Sequence, residues 1–301
     1  MNIVLTGSLG HISKPLAIGL IAKGHTVTII SSKAEKQKEM EELGAKAAIG
    51  SIEDSEFLTT TFTGADIVYL MEPPFNFLDL TIDMENYWLN IAKSYKQAVQ
   101  QSRVIRLVHL SSIGAHTDQG VGMLATHHVI ENILNELPAS VSIKTMRPVG
   151  FYYNMFAFIP AIQHAGAIIQ NYGGDKKEPW VSPADIAEVI VEEMEAPFKG
   201  RTVRYIASDE ISPNEVAQIL GKAIGKPDLK WQIIPDDQFL ANLVNIGFNP
   251  LTARGLTDMN AGRRNHLYDD YRQHKPILCK TKLTDFAKQF ADVYNTRIKN
   301  N

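Results

Sequence analysis

The sequence predicts an α/β fold in which a doubly wound parallel sheet occupies residues 1–150 and a smaller substrate-binding region occupies residues 151–301. The first observation behind this prediction is that short apolar runs alternate with segments of helical periodicity throughout the first half. The second is that the links between these segments are short, which favours right-handed crossovers between parallel strands. Because no repeat, low-complexity tract or linker separates the halves, we expect one compact body.

Each element of the first half follows from its local pattern. Residues 2–6 form an apolar run that ends at Gly7, as a buried parallel strand does. A helical segment follows, which tolerates Pro15 in its first turn and reaches a C-cap at Gly24. By the same criteria, further strands are predicted at 26–30, 45–49, 66–71, 104–110 and 142–146, and further helices at 34–43, 54–62, 80–101 and 124–136.

The second half is less regular. It contains one predicted strand, at 202–207, which is a candidate for an additional strand of the main sheet. Helices are predicted at 183–194, 213–224, 236–246 and 282–294. We expect this half to supply the pocket for a small-molecule substrate.

Composition excludes several classes of protein. The 30 Lys and Arg against 33 Asp and Glu give a net charge of −3, whereas nucleic-acid-binding domains usually carry a basic excess. The single Cys279 rules out an intrachain disulfide framework and a Cys-rich zinc site. No stretch approaches the ~20 apolar residues of a membrane helix, and the N-terminus lacks a basic signal-peptide region. We therefore expect a cytoplasmic protein that binds neither nucleic acid nor membrane.

The loop after the first strand has the pattern of a dinucleotide-binding loop. Residues 7–13 read Gly-Ser-Leu-Gly-His-Ile-Ser, so that Gly7 and Gly10 stand where a phosphate must approach the backbone. The start of the following helix offers free N–H groups and a positive dipole to that phosphate. Ser13 stands in place of a third glycine and is small enough for close packing. The loop predicts a Rossmann-type sheet that binds a dinucleotide.

The end of the second strand predicts which nicotinamide cofactor is bound. NAD sites usually place an acidic residue there for the ribose 2′-hydroxyl. Here Ser31, Ser32 and Lys33 follow, with no acid before Glu35. Hydroxyls and a cation suit a 2′-phosphate, which favours NADP (NADPH); the alternative is that Lys33 is an ordinary solvated lysine.

The order of short segments resembles the NmrA-like family of atypical short-chain dehydrogenases/reductases. The segments that carry the resemblance, which covers nearly the whole chain, are residues 6–10, 50–54, 64–68, 110–112, 147–151 and 182–187. Family members include NADPH-dependent quinone oxidoreductases, isoflavone-reductase-like enzymes and redox-sensing regulators.

The resemblance implies cofactor contacts for the matching positions. Leu9, Gly10, His11 and Ile12 would wrap the pyrophosphate, Ser51 and Ile52 would flank the adenine, Met71, Glu72 and Pro73 would run beside the ribose, and Ser111 with Val149 to Phe151 would line the nicotinamide. All follow the carboxyl ends of predicted strands, where open α/β sheets bind ligands.

One departure concerns the Tyr-x-x-x-Lys pair of the wider superfamily, which supplies an acid/base tyrosine. When the helix is aligned on Glu131, the lysine position holds His127 and the tyrosine position holds Met123. Methionine cannot transfer a proton, which argues against epimerase chemistry and alcohol dehydrogenation. His127 and Glu131 lie one helical turn apart and could form part of a metal site. No third candidate ligand lies at a sequence spacing typical of metal-binding motifs, so we expect no bound metal.

Two functions remain. The first is an NADPH-dependent reductase of quinones or related conjugated carbonyls. In it, His127 is the candidate residue that orients the cofactor ribose or supplies a proton, unless it is a helix histidine with neither role, and Tyr152 or Tyr153 is the alternative acid. The second is a non-catalytic NADP(H) redox sensor that regulates a protein partner. Either function is compatible with a homodimer.

Overall fold

The computed structural model describes residues 1–74, 76–265 and 267–299, and it confirms the predicted α/β fold. The strands are β1 (Asn2–Leu5), β2 (Thr26–Ser31), β3 (Lys46–Ile49), β4 (Ile67–Met71), β5 (Arg106–Leu110), β6 (Ser142–Pro148), β7 (Gly150–Phe151), β8 (Ala167–Gln170), β9 (Glu178–Val181), β10 (Arg201–Ile206), β11 (Asp209–Ile211) and β12 (Lys230–Ile233). The helices are α1 (Ser13–Ala22), α2 (Gln37–Glu42), α3 (Ser55–Phe62), α4 (Met84–Ser102), α5 (Ala125–Asn135), α6 (Ile159–Ala165), α7 (Pro183–Glu195), α8 (Pro213–Ala223), α9 (Asp236–Asn245), α10 (Pro250–Arg264), α11 (Asp269–His274) and α12 (Leu283–Lys299).

The main sheet has seven strands in the order β10-β6-β5-β4-β1-β2-β3. Every neighbouring pair in it is parallel. Strand β1 lies between β2 and β4, so the order reverses there and opens a crevice at the carboxyl ends of these strands. Strand β10, from the second half of the chain, pairs with β6 from Arg201 opposite Ile143 to Ile206 opposite Pro148.

Helices cover both faces of the main sheet because its strands are apolar on both faces. On one face, Leu16 of α1 and Ile190 of α7 pack in one buried cluster with residues of the sheet. On the other, Ile91 of α4 and Ile130 of α5 belong to a second cluster. The sheet is therefore a layer buried between helices. The edges that stay open are the one at the carboxyl ends of its strands and the one at their amino ends.

The second half has its own smaller core. A three-stranded sheet, β11-β9-β7, and a two-stranded sheet, β12-β8, lie beside a cluster that includes Trp180, Leu220 and Phe290. The division of the chain at residue 150 stays a prediction. Within the described ranges, no helix has the length and apolarity to cross a bilayer.

Local signals fix several helix ends. Gly24 has φ +82° and donates a backbone hydrogen bond to Ile21 at 2.9 Å, as the predicted C-cap requires. Asp54 caps α3 by accepting from two backbone N–H groups, and Ser212 with Glu215 forms a capping box at α8.

Candidate functional site

The loop between β1 and α1 is a turn in which glycine is required. Gly7 has φ +87°, and a Cβ there would lie 2.3 Å from Sδ of Met71 and 2.5 Å from Oγ of Ser13. A Cβ on Gly10 would lie 3.1 Å from the carbonyl oxygen of Gly7. The main chain of this loop can therefore come close to a ligand, as a pyrophosphate site demands.

The start of α1 is open toward the crevice. Ile12, at the N-cap, makes no side-chain cap hydrogen bond, so that no side chain satisfies the first N–H groups of the helix. Ser13 donates from Oγ to the carbonyl oxygen of Thr6 at 3.0 Å and ties the helix to β1 in place of a third glycine. Leu9 and Ile12 pack into the core, whereas Gly10 and His11 are exposed. The geometry fits a phosphate bound by backbone N–H groups.

The end of β2 presents hydroxyls and a cation. Ser8 donates from Oγ to Oγ of Ser31 at 3.0 Å, and Ser31 in turn accepts from the backbone N–H of Lys33 at 3.2 Å. Ser31 is buried, while Ser32 and the Lys33 side chain are exposed. This arrangement suits a phosphate ester better than a ribose diol, because no carboxylate stands at the strand end.

The end of β3 lies beside the end of β2. The backbone N–H of Gly50 donates to the carbonyl oxygen of Ser31 at 2.9 Å. Ser51 and Ile52 follow, and Ile52 is half-buried against the core below α3 and α4. These two residues therefore continue the edge that begins at Ser32.

The segment after β4 is held by two helix side chains. Tyr95 donates to the carbonyl oxygen of Met71 at 2.7 Å, and Trp88 donates from Nε1 to the carbonyl oxygen of Pro73 at 2.9 Å. Between them, the side chain of Glu72 is only 1% exposed and faces away from solvent. Of the three residues expected beside the ribose, Glu72 can therefore offer its backbone but not its carboxylate.

The Glu72 carboxylate lies between two histidines. Nε2 of His109, on β5, is 3.3 Å from Oε1 and 3.4 Å from Oε2 of Glu72. Nδ1 of His127, on α5, is 3.9 Å from Oε2, and the His127 ring lies beside the Trp88 indole with ring centroids 5.2 Å apart. His109 is wholly buried, whereas the His127 side chain is 13% exposed. His127 is therefore the accessible end of the cluster.

Burial and pairing set the charges of this cluster. Burial alone would raise the pKa of Glu72, but the charge of His109 and its hydrogen bond bring that pKa below its ordinary value. Burial opposes a charge on His109 as well, yet the Glu72 carboxylate raises the His109 pKa above its ordinary value. The pKa of His127 is lowered, chiefly by burial. These shifts favour a Glu72–His109 ion pair beside a neutral His127.

The Ser111 hydroxyl is already engaged. It donates a 2.5 Å hydrogen bond to Oε1 of Glu131, which also accepts from Nε of Arg147 at 2.9 Å. Nη1 of Arg147 also contacts Asp270 at 3.2 Å, which anchors α11 to the sheet. Ser111 can therefore line the crevice, but its proton is committed to Glu131.

Val149 immediately precedes β7, and Phe151 is the second residue of that strand. Val149 is buried, and its backbone N–H donates to the carbonyl oxygen of Ile206 at 3.2 Å. Phe151 is half-buried against the same core cluster. Both follow β6, so that they lie at the carboxyl edge with the other expected cofactor residues.

Comparisons with known proteins agree with this geometry. The family model described as "NmrA-like family" matches residues 1–273. The chain belongs to the NmrA-like family. An NAD(P)H azoreductase of Xenophilus azovorans is 22% identical over 236 residues, which is 78% of this chain and 75% of the azoreductase.

Two solved structures show how the fold of this NmrA-like chain compares. A nucleoside-diphosphate-sugar epimerase of Staphylococcus aureus superimposes with a TM-score of 0.77 at 18% identity, over 96% of this chain and 100% of that one. An NADPH-dependent quinone oxidoreductase of Escherichia coli, in complex with NADPH, gives a TM-score of 0.74 at 19% identity, over 98% and 99% of the two chains.

Met123 of this NmrA-like chain lies outside α5. It belongs to a 3-10 turn, Gly122–Leu124, that precedes the helix. A Cβ on Gly255 of α10 would lie 3.1 Å from Cβ of Met123, and one on Gly122 would lie 2.2 Å from the backbone nitrogen of Met259. The second half of the chain therefore packs directly on the position that would hold the superfamily tyrosine.

The two tyrosines considered as alternative acids differ in environment. Tyr152 is buried, and its hydroxyl donates to the carbonyl oxygen of Thr281 at 3.4 Å. Burial raises the pKa of Tyr152 far above its ordinary value. Tyr153 is 43% exposed and lies against His11 of the glycine loop. Only Tyr153 remains an accessible alternative.

The sequence pattern did not single out His109 or Trp88 as site residues. The one available signal was a histidine inside the otherwise apolar strand Val104–Leu110, since a buried polar side chain needs a partner. Among the described His, Cys, Asp and Glu residues, no group is arranged to hold a metal ion.

Proposed function

We propose that this chain is an NADPH-dependent reductase of quinones or related conjugated carbonyls. The observation that carries the proposal is the open start of α1 over Gly7 and Gly10, next to a β2 end with Ser32, Lys33 and no carboxylate. Bound NADPH supplies a hydride. The protein's contribution is to hold that dinucleotide at the carboxyl edge of the sheet and to position an acceptor against it.

Cofactor contacts are assigned along the edge in the order of the strand ends. The loop from Gly7 to Ile12 holds the pyrophosphate through backbone N–H groups other than those of Ser8 and Gly10, which donate to Ile30 and Gly7. Ser32 with Lys33 holds the 2′-phosphate. Ser51 and Ile52 flank the adenine, and the backbone of residues 71–73 runs beside the ribose. Ser111, His127, Val149 and Phe151 surround the nicotinamide.

The class of acceptor follows from the missing tyrosine. Met123 cannot donate a proton, so an acceptor must tolerate the negative charge that develops when hydride arrives. A quinone does so through conjugation, as does an azo compound, the substrate class named for the relative from Xenophilus azovorans. Epimerisation needs the missing acid/base, so the fold similarity to a sugar-nucleotide epimerase does not extend to this reaction.

Substitution of Gly10 tests the location of the cofactor. We expect Gly10→Glu to abolish NADPH binding, measured by quenching of tryptophan fluorescence, because a carboxylate would occupy the pyrophosphate position. Gly10→Ala adds the same Cβ without charge, and Gln100→Glu adds the same charge on the exposed side of α4. Both controls should bind NADPH far better than Gly10→Glu does. Equal affinity in a folded Gly10→Glu variant would move the site elsewhere.

Turnover separates the two functions that the sequence leaves open. A reductase oxidises NADPH when an acceptor is added. A sensor binds NADPH tightly and shows no turnover with any acceptor, and that result would replace the proposed activity.

A further inference from the structure

A proton has to reach the reduced acceptor even though position 123 cannot supply one. The hydroxyl of Ser111 is bonded to Glu131, and the hydroxyl of Tyr152 is buried. Tyr153 is exposed but lies against His11 of the glycine loop. Of the candidate donors among the described residues, His127 combines accessibility with a charged neighbour, Glu72. What it lacks is the second ring proton that would make it an imidazolium acid, because burial favours its neutral form.

The structure assigns that proton to a relay in which His109 stores it, Glu72 passes it on and His127 delivers it to the reduced acceptor. This inference rests on the proposed reductase activity. It joins three residues that come from β5, from the end of β4 and from α5, and that no catalytic pattern in the sequence links.

Geometry supports the direction of transfer. His109 is wholly buried and Glu72 is 1% exposed at its side chain, while the His127 side chain is 13% exposed. Nδ1 of His127 has no hydrogen-bond partner among the described residues, and Oε2 of Glu72 lies 3.9 Å from it. A shift of less than 1 Å would close that gap, and catalytic hydrogen bonds often tighten in this way when ligands bind. His127, the one member of the three whose side chain is partly exposed, is therefore the member that an acceptor could contact.

The transfer balances in protons and charge. Hydride addition leaves an anionic oxygen on a quinone. The Nε2–H bond of His127 breaks and an O–H bond forms on that oxygen, while Nδ1 of His127 takes a proton from Glu72, which receives one from Nε2 of His109. Glu72 ends as a carboxylate and both histidines end neutral. After the product leaves, solvent returns one proton through His127.

Other titratable groups around the cluster do not take the place of His109, Glu72 and His127 in this proton transfer. Glu131, on α5, is paired with Arg147 of β6 at 2.6 Å, so its charge is largely compensated. Tyr69 and Tyr95 face Glu72 from β4 and α4, and burial raises the pKa of each phenol well above its ordinary value. Both phenols therefore stay neutral and neither takes a proton from the pair near pH 7.

Two acceptors with different proton demands test the relay. A quinone needs both hydride and a proton, whereas a triarylmethyl cation dye is neutralised by hydride alone. We expect Glu72→Gln, His109→Asn and His127→Ala each to lower the ratio of kcat for the quinone to kcat for the dye by about 10²-fold or more, which is the ~10²–10⁴ range of a lost general acid. In the unmodified protein, only the quinone reaction should show a solvent deuterium isotope effect on kcat.

The pH dependence of turnover is a second test of the relay. The His109 pKa is raised, so His109 carries the transferable proton below that pKa and loses it as the pH rises through it. Quinone turnover should fall over that range, and dye turnover should not follow it. Histidine resonances in the NADP⁺ complex should show one imidazolium that persists above pH 6.5 in the unmodified protein and titrates at lower pH in Glu72→Gln.

The results separate failure of the relay from failure of the proposed function. If the unmodified protein reduces both acceptors and the variants lose both equally, or lose neither, the relay is wrong and the reductase stands. If it reduces neither acceptor, the proposed function is wrong and the relay fails with it. Should Glu72→Gln fail to fold, His127→Ala and the isotope effect decide the matter, because the His127 side chain lies at the edge of the cluster.

Discussion

The imidazole ring of His11 lies against the phenol ring of Tyr153, with ring centroids 4.2 Å apart and planes inclined at 42°. This contact joins the glycine loop to the segment that follows β7. It also leaves Tyr153 as a wall of the crevice beside the expected pyrophosphate, whereas Tyr152 points into the core of the second half.

Substitutions of Tyr153 distinguish a side chain that only lines the crevice from one that donates a proton. We expect Tyr153→Phe to keep kcat and NADPH affinity, because the ring contact survives. Tyr153→Ala should raise the Kd for NADPH about two- to tenfold, since an aromatic pair contributes roughly 0.5–1.5 kcal/mol. Isothermal titration and steady-state kinetics measure both effects. A hundredfold loss of kcat in Tyr153→Phe would instead identify its hydroxyl as the proton donor.

We expect the Lys33 side chain to bind the 2′-phosphate of NADPH. A charge-assisted contact is worth about 1.5–3 kcal/mol, so Lys33→Ala should weaken NADPH binding roughly 10- to 100-fold and leave NADH binding nearly unaffected. The backbone N–H of residue 33 still donates to Ser31 in this variant. Lys38→Ala is the matched control, because the Lys38 side chain is 88% exposed on α2. Equal losses for both cofactors would show that Lys33 is an ordinary solvated lysine.

The Glu72–His109 pair should make stability depend on pH. The lowered pKa of Glu72 contributes stability that is lost as the pH falls through that pKa, and the raised pKa of His109 contributes stability that is lost as the pH rises through it. Removing one partner of a buried pair costs about 3–5 kcal/mol, so Glu72→Gln should lower the free energy of unfolding by about that amount near pH 6.

At a second pH, above the raised pKa of His109, the same substitution should cost much less, because His109 is neutral there and the amide is easier to bury than a lone carboxylate. Urea unfolding at both pH values measures the difference. Glu53→Gln, at an exposed position, is the control for loss of a carboxylate. A cost that is the same at both pH values would mean that His109 does not titrate between them in the folded protein.

The sequence predicted the first half of the fold well because its signals are local. Apolar runs, the glycine loop and Gly24 each specify an element without reference to distant residues. The predicted helix at 80–101 begins later, at Met84, because Asp83 caps it by accepting from the backbone N–H of Asn86. Helix α10 was missed because its sequence is polar and contains Gly255 and Gly262, whose role is close packing against the 120–124 segment.

The site was predicted only in outline. Strand order places residues after β1 to β6 at one edge, which is why the expected cofactor residues share the crevice. Periodicity does not reveal that Glu72 turns inward to His109, because that depends on the packing of α4 and α5 on β5. The placement of Met123 under α10 likewise depends on contacts between distant segments.

Steady-state oxidation of NADPH with a quinone and with an unactivated ketone tests the central claim most directly. A reductase that lacks the superfamily tyrosine should turn over the quinone, prefer NADPH to NADH and leave the ketone untouched, because only conjugation stabilises the oxygen that receives charge. Efficient reduction of the ketone would contradict this account by revealing a side-chain acid stronger than the His127 relay. Tight NADPH binding with no turnover of the quinone would contradict it by showing that the chain is not this reductase.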